Sequence, residues 1–142
     1  MKFSELSDEQ WADLQLYLDT CLLPVTGLTG RETPPEATRK AADAGAWLAP
    51  LETAFRGRTV TMPAYHYVDA ANEEELSRLD SYCAEIKRTG YRYLIVVTGS
   101  AELAAARLPA ADLVAGPGPL GSEPEAESVR RAITSMWRKP AE

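Results

Sequence analysis

Gly90-Tyr91-Arg92-Tyr93-Leu94-Ile95-Val96-Val97-Thr98-Gly99-Ser100 is the stretch on which the fold of this chain turns. Its centre, Tyr93 to Val97, is an unbroken run of aromatic, β-branched and aliphatic side chains. Successive side chains of a strand point to opposite faces, so five apolar residues in a row bury both of them. Such a run suits the middle of a parallel sheet; a half-wet antiparallel strand would alternate. Gly90 is placed to close a helix before it, and Gly99 to open a loop after it.

Upstream, the third helix is set by Asn72 with Glu75, a cap followed three residues later by an acid. Leu76, Leu79, Cys83 and Ile86 form its inner stripe, and Lys87 and Arg88 oppose the dipole at its end. Before that helix lies a strand over residues 59–62 and a loop, Pro63-Ala64-Tyr65-His66-Tyr67-Val68-Asp69. Ser7 with Gln10 starts a first helix carrying Trp11, Leu14 and Leu18. A strand over residues 20–25 and a glycine-rich loop, Thr26 to Glu32, follow it. Thr33 with Glu36 caps the second helix, with Pro34 in its first turn and Ala37, Ala41, Ala44, Trp47 and Leu48 facing inward. Pro50 is expected to kink or break that helix, because its ring clashes with the carbonyl four residues back. Downstream, the spacing predicts a short helix over 101–107 and a weaker strand over 111–115. After a Gly/Pro loop (116–121), a last helix is capped by Ser122 with Glu125 and lined by Val129, Ile133, Met136 and Trp137. The tail from Arg138 is expected to fray.

Strands and helices alternate, with connections too long for hairpins, which means βαβ units. The expectation is a single three-layer α/β domain over residues 1–142. Its mainly parallel four-stranded sheet has order 2-1-3-4, Rossmann-like, with helices on both faces. In such sheets ligands bind beyond the carboxyl ends of the strands, where strand order reverses. That places a candidate binding rim at Thr26, Gly27, Thr29, Arg31 and Glu32, at Thr98 and Ser100, and at His66 and Tyr67. Arg31 is the expected anchor for a carboxylate or phosphate, through its planar fork of donors.

The chain has 142 residues, 45% hydrophobic and 25% charged, and a net charge of −6. That length lets one domain bury roughly 68% of its extended surface. The acidic balance argues against nucleic acid and anionic membrane as partners. No apolar signal core or spanning stretch is legible, and a cytoplasmic address is expected. Cys21 and Cys83 lack metal or redox spacing and read as buried thiols, and the single histidine, His66, precludes a multi-histidine metal site. Thr26 to Glu32 lacks the Gly-x-Gly-x-x-Gly and Gly-Lys-Ser/Thr patterns of nucleotide loops. No Gly-x-Ser-x-Gly surrounds Ser100, which suits a helix cap.

Two stretches resemble the creatininase-type amidohydrolases. Leu22-Leu23-Pro24-Val25 and its glycine-rich loop are similar to that family's first strand and loop, and Gly90 to Gly99 to the strand entering its second metal-binding loop. At the positions matching that family's two ligand-bearing motifs stand Thr29 and Arg31 in the first, and Thr98, Ser100, Ala101, Glu102 and Leu103 in the second. The resemblance therefore implies the scaffold without its metal, since divalent ions in such sites need imidazoles and carboxylates. Tyr17-Leu18-Asp19-Thr20-Cys21-Leu22-Leu23-Pro24 and the overall length also resemble the YpiF-like bacterial family of unknown function, which implies no activity. The reading leans against an enzyme and assigns no catalytic residue, metal or cofactor. It expects an interaction or self-associating module with an unknown protein partner or as a homo-oligomer. The alternative is a binding domain for a small anionic metabolite or nucleotide.

Overall fold

A computed structural model describes residues 1–118 and 123–139. In chain order it has α1 (Asp8–Leu14), β1 (Thr20–Val25), α2 (Pro34–Ala54), β2 (Thr59–Thr61), α3 (Glu73–Arg88), β3 (Tyr93–Thr98), α4 (Ala101–Ala104), β4 (Leu113–Ala115) and α5 (Ala126–Arg138). The four strands form one parallel sheet in the order β2-β1-β3-β4. β1 and β3 pair along their whole length, from Thr20 opposite Tyr93 to Val25 opposite Thr98. Their carboxyl ends are thus level, which sets the loops after them side by side.

The apolar run of β3 is buried on both faces, as its composition requires. Leu94 and Val96 join Cys21, Leu23, Leu79, Cys83 and Ile86 beneath α3, with Leu103 of α4. Ile95 and Val97 join Leu22, Trp47, Leu51, Val129 and Ile133 beneath α2 and α5. Three layers follow from this division. Burial pushes the Cys21 and Cys83 thiols up to about 12 and about 11, so neither is a ready thiolate.

Pro24 sits inside a central strand, where its missing N–H ought to break a ladder. It does not, because the even-numbered amides of β1 face β2, and β2 has ended by then. Thr20 donates to the Arg58 carbonyl and Thr26 to that of Tyr65, while Met62 and Tyr65 donate to the carbonyls of Leu22 and Pro24. Between them the chain bows out through Pro63 and Ala64, leaving no acceptor for residue 24 to miss.

Ser7 and Thr33 make full capping boxes with Gln10 and Glu36. Asn72 makes half of one: its side chain accepts from the Glu75 amide, but the Glu75 carboxylate accepts from the Asp69 N–H instead. α2 does not break at Pro50 but runs on to Ala54. The lost bond falls on the carbonyl of Ala46, an exposed residue whose carbonyl is open to solvent, and Leu51 beyond is fully buried. The inner face of α2 is accordingly Ala44, Trp47 and Leu51, and Ala41 is exposed. α1 ends at Leu14, and Leu18 is buried in the turn after it rather than on the helix. α4 stops at Ala104, short of the expected 107. Leu103 and Leu108 are both buried, and residues five apart do not share a helix face. β2 and β4 are each shorter than expected. Arg138 closes α5 as its last helical residue, and Glu125 stands at its N-cap. Ser122, the end of the Gly/Pro loop and the tail beyond 139 lie outside the described residues.

At the amino ends of the strands Arg58 is held from two sides. Its guanidinium pairs with both carboxylate oxygens of Asp19 at 2.9 and 3.1 Å and lies 4.0 Å from the Trp137 ring centre. Trp137 Nε1 donates to Thr20 Oγ1 at 3.0 Å, pinning the end of α5 beneath the sheet.

Candidate functional site

At the carboxyl ends of β1 and β3 a cleft of about 240 Å³ opens, lined by Thr26, Gly27, Lys40, Asp43, Gly99, Ser100, Ala101 and Glu102. It lies where strand order reverses, and Gly27 and Gly99 form its floor. Gly27 has φ +79°, a left-handed conformation that side-chained residues rarely take, and a Cβ there would reach Ser100 and Leu103 at 3.5 and 3.4 Å. A shallower hollow adjoins the cleft, shares Gly27, Lys40, Ser100 and Glu102 with it, and extends to Thr29, Val68 and Asp69.

Glu32 builds the loop after β1. Its carboxylate accepts from the Thr29 amide at 2.8 Å, the Thr29 hydroxyl at 2.9 Å and the Gly30 amide at 2.9 Å. Lys40, reaching back from α2, donates to the same carboxylate at 2.6 Å and to the Gly27 carbonyl at 3.2 Å. The Lys40 ammonium, then the Thr29 amide, hold the Glu32 carboxyl far below the usual carboxylate range. The stabilisation is therefore complete above the ordinary carboxylate value of about 4.3 and is lost as pH falls through the depressed folded value. Glu32→Gln is expected to lower the melting temperature at pH 7. The gap to wild type should narrow steadily below about pH 4 in melting curves; a gap independent of pH would contradict the assignment.

The expected rim divides. Thr26, Gly27 and Ser100 line the cleft, and Thr29 lines the hollow beside it. Thr98 is fully buried below the floor, where its hydroxyl accepts from the Ser100 amide. Ser100 caps α4 through Leu103 and donates to Glu102 at 3.2 Å. His66 stands one hydrogen bond behind the cleft, Nδ1 lying 2.8 Å from Thr26 Oγ1. Tyr67, exposed and in the left-handed region at φ 66°, sets its ring edge-on to His66 and lies near Gly30. Arg31 turns outward, its side chain 70% exposed, to pair with Asp69 at 2.9 Å. Arg31, His66 and Ser100 therefore do not meet in one pocket.

Lys40 and Asp43 belong to no motif in the sequence. Three residues apart, they share the face of α2 that overlooks the cleft. Asp43 has no ion-pair partner among the described residues. Nor do three or more His, Cys, Asp or Glu side chains gather there closely enough to hold a metal ion.

A family model described as "Protein of unknown function (DUF2487)" matches residues 9–109. The match runs from α1 past α4 and contains every residue of the cleft. No curated protein and no solved structure matches the chain. No helix of the described residues is long and apolar enough to cross a membrane.

Proposed function

We propose that this chain, which belongs to that family of unknown function, is a binding domain for a small polar molecule seated in the cleft between the loops after β1 and β3, and that the molecule carries an ammonium group. The observation that carries the reading is the charge left over there. Glu32 already neutralises Lys40 at 2.6 Å, and the side chain of Glu32 is only 6% exposed. Asp43 and Glu102 remain, the latter engaged among the described residues only by the Ser100 hydroxyl. One ammonium against three carboxylates favours a ligand that brings positive charge, an amine or a zwitterion, over the anionic one suggested by the sequence. The volume, about 240 Å³, is below the range of about 300–1,000 Å³ typical of drug-sized ligand sites. A ligand confined to the cleft itself is therefore smaller than a whole nucleotide. The reading assigns no catalytic residue.

Thermal-shift and amide-NMR screening of amines, amino acids, phosphate and nucleotides tests it. An amine present at about 100 times its dissociation constant should stabilise by about 2.7 kcal/mol, with Gly27, Gly99 and Ala101 amides moving. Asp43→Asn should remove that response. Binding confined to phosphate or nucleotides, or an amine response unchanged in Asp43→Asn, refutes the reading.

The creatininase-like origin belongs to the same proposal. It is supported by the loops after β1 and β3 meeting at one end of a parallel sheet, with Thr29, Arg31 and Ser100 where that family keeps ligands. A cytoplasmic address is supported by two buried, unbridged cysteines. A second reading, self-association or a protein partner, is favoured by Leu16 and Tyr17, adjacent between α1 and β1 and 88% and 68% exposed. Light scattering at micromolar concentration tests self-association, and a mass of 15.5 kDa, that of one chain, excludes it.

A further inference from the structure

Thr26 stands between the cleft and the chain's one histidine. Its residue is 6% exposed, it lines the cleft, and His66 Nδ1 lies 2.8 Å from its hydroxyl oxygen. Two longer contacts complete its surroundings: the Leu28 amide donates to the hydroxyl at 3.4 Å, and the Tyr65 carbonyl lies 3.5 Å away. A threonine hydroxyl has one proton to give and two lone pairs to offer. Counting them against these neighbours gives two different states.

With the imidazole neutral and its proton on Nε2, the nearest acceptor for the hydroxyl proton is Nδ1 at 2.8 Å, not the carbonyl at 3.5 Å. One lone pair then receives the Leu28 amide, and one is left to face the cleft. With the imidazole protonated, both ring nitrogens are donors. Nδ1–H takes the second lone pair, no acceptor remains for a ligand, and the hydroxyl proton is released toward the Tyr65 carbonyl or the cleft. A positive charge also arrives behind the wall.

We infer that His66, acting through Thr26, decides whether the cleft offers its ligand a hydrogen-bond acceptor: the Thr26 hydroxyl accepts when the imidazole is neutral and no longer does so when it is charged. The inference rests on the cleft being a ligand site and adds regulation to it. An ammonium-bearing ligand is released as the imidazole gains its proton. His66 is a positioning residue in this scheme. The groups around it are few. Tyr67 and Tyr65 come from its own loop, the Tyr67 ring edge-on at 5.8 Å, and Thr26 comes from the loop after β1. No ion pair among the described residues includes it. Across the cleft wall stand Lys40, Asp43 and Glu102.

The test has one arm without ligand and one with it. Imidazole ¹⁵N shifts of the intact chain should report an unprotonated Nδ1 in the neutral form, and the titration midpoint should move in Thr26→Val. A protonated Nδ1 at high pH, or a midpoint indifferent to Thr26→Val, overturns the inference whatever the cleft binds. Ethanolamine, followed through the Gly27, Gly99 and Ala101 amides, serves as the probe above about pH 5.5, where ordinary carboxylates stay ionised. Its dissociation constant should rise at least about fivefold between pH 8 and pH 5.5 in wild type and in Thr26→Ser, and stay flat in His66→Ala. A slope that survives in His66→Ala refutes the link. Absence of ethanolamine binding at every pH refutes the amine site beneath it, with the nitrogen shifts still deciding the hydrogen bond.

Discussion

Gly99→Ala is expected to destabilise the fold and to spoil the cleft together, whereas Gly45→Ala on the neighbouring helix should do neither. A Cβ on Gly99 would fall 2.5 Å from Cβ of Asp43, 2.7 Å from its carbonyl carbon and 3.0 Å from the Ala44 amide nitrogen. None of these atoms is the end of a flexible side chain, so the middle of α2 must back away from β3. Overpacking of this kind costs about 1–3 kcal/mol, and rigid backbone on one side puts the cost at the upper end. The loss of unfolded-state freedom on replacing glycine returns only about 0.4–1 kcal/mol. Gly45 lies in the same helix with nothing within 4 Å of the added atom. There alanine should stabilise by about 0.5–1 kcal/mol. Urea unfolding of the two variants should therefore give opposite signs. Equal stability of Gly99→Ala and wild type would mean that α2 does not rest on this loop, and the position of Asp43 would lose its basis.

Local signals translate directly: a proton acceptor at Ser7 or Thr33 and an acid or amide three residues on specify a helix start without help from the rest of the chain. The β3 run is nearly as direct, because a strand apolar on both faces has few other homes, and strand order followed from it. Pro50 misleads because the helix rule by itself does not say which side of α2 faces water. Whether the lost bond can be replaced is decided by tertiary packing. The cleft fared worst. Its loops were legible as glycine-rich connections at the correct end of the sheet. Lys40 and Asp43 were not, since an exposed charge and a cleft charge look identical in a helical repeat. Arg31 looked like an anchor until the chain brought Asp69, 38 residues later, within 2.9 Å of it. His66 and Thr26, 40 residues apart, had no pattern in common at all.

Whether β3 is buried on both sides can be decided by two truncations one residue apart. Leu94→Ala and Ile95→Ala each remove a fully buried side chain from the middle of the strand, but into different layers. Leu94 packs with Cys21, Leu79 and Cys83 on the α3 side, and Ile95 with Leu22, Trp47, Leu51 and Ile133 on the side of α2 and α5. Truncation of such residues costs about 2–5 kcal/mol, made up of lost transfer energy and the cavity left behind. A surface position would move stability by no more than about 0.5 kcal/mol. Both variants are thus expected to lose at least about 2 kcal/mol in denaturant titrations, with unchanged m-values. Native-state hydrogen exchange should distinguish them, Leu94→Ala loosening the amides of α3 and Ile95→Ala those of α2 and α5, because each cavity opens under a different layer. If one of the two proves neutral, that face of the strand is open, and the three-layer arrangement that lays the β1 and β3 loops side by side fails with it.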